Sequence, residues 1–150
     1  MERASRRRRL SGVHRAVLLI SVALLAGCAQ QWPPAVVSPQ TQQRLLSIAD
    51  ADARACSGPA THVEAAASTR ATANRITTGD GGGSGDERPV WVLLITGGPF
   101  NCPHTGPSGS LLPPASDQII ILDASNFQPT DGGFGDHDTL HGLGLVTTLR

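Results

Sequence analysis

The sequence predicts an α+β domain, with one or two helices packed on a small antiparallel β-sheet. Three observations carry this. Residues 40–57 repeat apolar positions at helical spacing, residues 89–96 are a nearly continuous apolar run rich in β-branched side chains, and residues 118–122 are a second such run. The chain has 150 residues, room for one domain of ordinary size.

Each element follows from its residues. Ser38-Pro39 offers an N-cap and a first-turn proline. Over 40–57, Leu45, Ile48, Ala49, Asp52 and Cys56 trace one helical stripe, and Gly58-Pro59 stops it. The stripe is thin, so this helix needs a packing partner. Residues 61–67 alternate weakly through Val63, Ala65 and Ala67, as a strand would. Residues 69–78 suit a second short helix ended by Gly79, with strand continuation as the alternative. Residues 80–88 read as a Gly-rich loop. The run 89–96 is apolar at successive positions, which predicts cover on both faces, and Gly97-Gly98-Pro99 is expected to end it. A Pro/Gly/Ser loop follows over 101–116, then the strand 118–122, then a turn-rich stretch from 123 to 135. A helical turn at 138–142 and an edge strand within 143–149 close the chain.

The charge is unevenly spread. All 12 basic residues are Arg, and six of them lie in the first 15 positions. From Cys28 onward six Arg face 11 Asp or Glu, a net −5, which argues against nucleic acid as a partner. The basic start is followed by a 12-residue apolar run, Ala16 to Gly27. As a helix it would reach about 18 Å, short of the roughly 30 Å of a bilayer core. A positive region, a short apolar region and small residues at a cut site make an export signal. Leu25-Ala26-Gly27-Cys28 resembles the lipobox of bacterial lipoproteins. That resemblance implies cleavage before Cys28, linkage of its thiol to a diacylglycerol and acylation of the new N-terminus, with fatty acids such as palmitate. It implies residence on the extracytoplasmic face of the cell membrane, with the membrane as partner through the anchor. The chain then divides into a lipoprotein signal peptide (1–27), a lipidated Cys with a Pro-rich tether (28–39), and a small α+β domain (40–150). The tether reaches about 30 Å at polyproline rise. Ser5-Arg6-Arg7 with Leu10 also resembles a twin-arginine export signal, although Arg9 stands where that signal prefers an apolar residue. The general and twin-arginine export routes both stay open.

With Cys28 acylated, Cys56 and Cys102 remain. An even pair outside the cytoplasm predicts a disulfide. It closes a loop of about 46 residues, for which the chain-entropy estimate is roughly 4 kcal/mol. The mature chain resembles small secreted and lipid-anchored proteins of actinomycetes. The shared order is a Cys-ended helix (Cys56), a strand leading to Gly98-Pro99-Phe100-Asn101-Cys102, Pro113-Pro114, and a strand running into Asp123-Ala124. This resemblance covers roughly residues 40–135 and implies no activity. The Asp123-Ala124-Ser125-Asn126 turn is similar to hairpins of PepSY-like domains, some of which restrain proteases. Those usually carry Thr-Gly where this chain has Asn126-Phe127.

Catalytic constellations are thin. Ser84 and Ser108 lie in Gly-rich loops and lack the strand-to-helix context of a nucleophile elbow. Cys102 and His104 are close in sequence, but a disulfide consumes that thiol. His137 and His141 are four apart, as zinc or copper ligands on one helical turn can be, and His104 could join them. Gly142 and Gly144 argue against a firm helix there. The stretches 82–86 and 132–136 resemble a calcium repeat but lack one residue before the Asp, so they read as solvated turns. No catalytic residue and no cofactor is expected. The leading expectation is a non-enzymatic envelope lipoprotein whose domain binds a protein partner. The alternatives are a metal-binding or metal-sensing lipoprotein using His104, His137 and His141, and a PepSY-like protease-restraining domain.

Overall fold

The computed structural model describes residues 36–78, 85–102, 113–135 and 137–150. In chain order the elements are α1 (Pro39–Ala55), β1 (His62–Thr69), α2 (Arg70–Thr78), β2 (Pro89–Phe100), β3 (Ala115–Asp123), β4 (Pro129–Phe134), α3 (His137–His141) and β5 (Val146–Thr148). The five strands form one sheet in the order β4-β3-β2-β1-β5, and every neighbouring pair is antiparallel. The fold is therefore α+β, as the apolar pattern predicts.

Alternation along the strands divides the core in two. On one face Val63 and Ala65 of β1, Trp91, Leu93 and Ile95 of β2, and Ile120 and Leu122 of β3 pack with Leu45, Ala49 and Ala53 of α1. On the other face Ala66, Val90, Val92, Leu94, Ile119 and Ile121 pack with Ala73 of α2 and Leu140 of α3. This is why β2 reads as an unbroken apolar run: it is the central strand, with helices on both sides. The fully buried residues of α1 are two Ala and one Leu, with Leu46 and Ile48 packed beside them, so the helix depends on the sheet for stability.

The helix ends are built by local chemistry. Ser38 Oγ accepts from the Thr41 amide at 3.1 Å, and Pro39 occupies the first turn. At the other end Gly58 N–H donates to Ala53 O at 3.0 Å and Ser57 N–H to Arg54 O at 3.1 Å. The left-handed residue in that turn is Ser57 (φ 59°) and not Gly58. Gly58 is held to glycine by space instead, since a Cβ there would stand 2.5 Å from Phe100 Cδ1. For residues 69–78 the structure chooses helix. Thr69 ends β1 and its Oγ1 accepts from the Thr72 amide at 3.2 Å, which starts α2.

Two expectations are corrected. Gly97-Gly98-Pro99 does not end β2. The strand shifts register between Thr96 and Phe100 and pairs again at Phe100 with Ala115. Gly97 has φ +143° and lies against the Pro59 carbonyl, where a Cβ would come within 2.4 Å. The Gly98–Pro99 peptide is cis. The turn-rich stretch 123–135 also contains an edge strand, β4, paired to β3 from Gln118↔Phe134 to Leu122↔Pro129. Gly132 and Gly133 belong to that strand and not to a solvated turn. The chain closes with β5 on the outer edge of β1. There Leu149 N–H donates to Val63 O at 2.8 Å, Val63 N–H to Arg150 O at 3.1 Å, and Leu149 is buried.

Candidate functional site

The residues of greatest chemical interest meet where α1 ends over the sheet. Cys56 follows α1 directly, and Cys102 follows β2 by two residues. They are joined by a disulfide with an S–S distance of 2.02 Å, as cysteine parity predicts. Two contacts besides the disulfide hold the same segments. Asn101 N–H donates to Cys56 O at 2.7 Å, and the buried Phe100 ring lies against Gly58.

Beside the sulfurs lies a polar pair. Asp52 occupies the inward stripe of α1 one turn before Cys56. Gln118 lies on β3 opposite Ile95 and is 2% exposed. Gln118 Nε2 donates to the Asp52 carboxylate and lies 3.4 Å from Cys56 Sγ. Its other amide atom, Oε1, is buried with no hydrogen-bond partner. A buried amide oxygen left unsatisfied is uncommon in a folded chain. Half of this signal is present in sequence, because Asp52 falls on the helical stripe. Gln118 gives none, being the polar start of an apolar strand.

A second polar group crosses the opposite end of the sheet. Arg88 binds Asp86 through Nε and Nη2, at 2.9 and 2.6 Å. Arg70 bridges Asp86 at 3.8 Å and Asp131 at 2.8 Å. The hydrogen bonds from Arg88 hold the Asp86 carboxyl down to about 2, with the charge of Arg70 adding to the effect. In the β3–β4 turn, Ser125 donates its hydroxyl and amide to Asp123 Oδ1 and lowers that carboxyl as well. These pairs tie α2, the segment before β2, and β4 together. On β1, His62 Nε2 lies 3.5 Å from the nearly buried Glu64 Oε1.

No protein-family model, curated protein or solved structure matches this chain.

The other sequence candidates are distributed as follows. Cys28, Ser84, His104 and Ser108 lie outside the described residues, and so does the side chain of His137. His137 and His141 begin and end α3, a single helical turn that Leu140 pins to the core. His141 is exposed. Among the described residues no three His, Cys, Asp or Glu side chains are grouped closely enough to hold a metal ion. Cys102 is bonded to Cys56, so a Cys102–His104 nucleophile–base pair is not available in this state.

Proposed function

We propose that this chain is a non-enzymatic lipoprotein of a bacterial envelope. Its small α+β domain is held off the membrane by a Pro-rich tether, anchored through acylated Cys28, and binds a protein partner. The observation that carries this is the lipobox-like Leu25-Ala26-Gly27-Cys28 at the end of a basic-then-apolar start. Cysteine pairing supports it. Cys56 and Cys102 are bonded to one another, which leaves Cys28 as the odd cysteine of three. A disulfide in a small domain also fits an oxidising compartment. Among the described residues no helix is long and apolar enough to cross a membrane. An anchor of two or more acyl chains holds a protein on a bilayer stably where one does not.

The test is metabolic labelling in the native host. Labelled fatty acid enters the wild-type chain, and Cys28→Ala loses both the label and membrane association. Cys56→Ala keeps the label. Equal labelling of wild type and Cys28→Ala overturns the proposal.

A further inference from the structure

The surroundings of the disulfide differ from those of a plain staple. Three observations bear on this. The amide of Gln118 is buried and touches Cys56 Sγ through Nε2, while its Oε1 has no hydrogen-bond partner. Asp52 accepts from the same Nε2, which fixes that end of the amide. The two cysteine segments are also held together by contacts that do not involve sulfur: Asn101 N–H to Cys56 O at 2.7 Å, and Phe100 packed on Gly58.

From this arrangement we infer that Cys56–Cys102 is a reversible redox pair, and that Gln118 favours its reduced form by accepting the Cys56 thiol proton. The reductant is a dithiol protein or small molecule. Its two S–H groups are oxidised to a disulfide, and the Cys56–Cys102 bond breaks. Two electrons pass to the pair, and one proton ends on each sulfur. In the oxidised state Gln118 Oε1 is stranded. Once the bond opens, Cys56 presents an S–H donor beside it. The terminal amide torsion is soft. A partial turn therefore lets Oε1 accept from the thiol while Nε2 keeps Asp52. An unsatisfied buried acceptor in one state and a satisfied one in the other biases the equilibrium toward the second, by roughly tenfold. The Nε2 contact to sulfur opposes this only slightly, because sulfur is a weak acceptor. The sulfur-free contacts keep the two thiols adjacent, so the pair closes again when the reductant is withdrawn. Both cysteines are 3% exposed. Exchange therefore runs through local opening, and the equilibrium rather than the rate reports on Gln118.

The experiment equilibrates the full chain carrying Cys28→Ala, which leaves two cysteines, in buffers of graded reduced-to-oxidised dithiothreitol. The thiol fraction is read by alkylation and mass spectrometry, and folding by amide exchange. The reduced chain is expected to keep protection at the Asn101 amide. Gln118→Leu is expected to need about tenfold more reducing buffer to reach half reduction. Asp52 loses its donor in both states of that variant, so the loss cancels. The inference is overturned if reduction removes protection throughout the sheet, or if Gln118→Leu matches the parent chain within about twofold. Should Gln118→Leu not fold, the infrared S–H stretch of the reduced parent chain decides. One thiol band lowered in frequency by a hydrogen bond supports the inference, and two unbonded thiol bands overturn it.

Discussion

The Phe100 ring fills the space that a side chain at residue 58 would need: a Cβ on Gly58 would stand 2.5 Å from Phe100 Cδ1 and 2.8 Å from Cε1. This contact joins the turn after α1 to the irregular end of β2, the same two segments that the disulfide bridges. Phe100 is fully buried, so the ring has little room to retreat. Gly58→Ala is therefore expected to destabilise the chain by about 1–3 kcal/mol, the usual range for overpacking a tight core. Urea unfolding measures it. Combining Gly58→Ala with Phe100→Leu should recover part of the loss. A strictly additive double variant would mean the two positions do not meet.

Arg44 of α1 stacks over the Phe127 ring at 4.3 Å and donates to Asn126 O at 3.2 Å. Phe127 has φ 62°, a backbone region that bulky side chains rarely adopt. Its packing against the α1 face of the core holds it there. A double-mutant cycle with Arg44→Met and Phe127→Leu should give a coupling of about 0.5–1 kcal/mol, as expected for a cation over an aromatic face at a partly exposed site. Phe127→Gly relieves the backbone but loses the ring, so it should still destabilise. A coupling indistinguishable from zero would show that Arg44 does not stabilise this turn through the Phe127 ring.

The carboxylates set an acid limit. Arg88 lowers Asp86 from 3.8 to about 2, Arg150 lowers Asp50, and Ser125 lowers Asp123. A carboxyl depressed in the folded state contributes stability that is fully present above its unfolded value and is lost as pH falls through its folded value. Stability from these groups should therefore be flat from neutral pH to about 4 and decline toward pH 2. Asp86→Asn should make the decline shallower. Carboxyl NMR titration is the direct check, with a midpoint for Asp86 near 2. A midpoint near the ordinary 3.8 would show that the Arg88 pair does not persist in solution.

Metal should not matter to folding. A metal held by the folded state raises its melting temperature by mass action. Thermal melting of the chelated full chain carrying Cys28→Ala, with and without zinc or copper, is expected to show at most a small shift. His137→Ala/His141→Ala should share any such shift. A rise of many degrees that the double variant loses would favour the metal-binding alternative.

The sequence made some elements legible for clear physical reasons. β2 and β3 are buried on both faces, so their composition alone marks them. The Ser38-Pro39 cap and the Gly58-Pro59 stop bracket α1 closely. β4 is not legible, because Pro129, Asp131, Gly132 and Gly133 disfavour a strand and only Thr130 and Phe134 favour one. Backbone pairing to β3 forms this edge strand, with the Arg70–Asp131 ion pair beside it. The extension of β2 through Gly97 and Gly98 was hidden for a related reason. Those glycines permit close backbone approach to Pro59 and Ala115, which composition reports as a break. Of the polar pair beside the disulfide, Asp52 was on the predicted stripe. Gln118 is brought beside the disulfide by the β2–β3 register, which places it opposite Ile95.

The proposed function is an envelope lipoprotein anchored through Cys28, with Cys56 and Cys102 bonded to one another. The most direct measurement is the intact and fragment mass of the mature protein purified from native membranes without reduction. The expected result is an N-terminus at Cys28 carrying a diacylglyceryl group, with the Cys56 and Cys102 peptides crosslinked. An N-terminus elsewhere with an unmodified Cys28, or its absence from the membrane fraction, would contradict it.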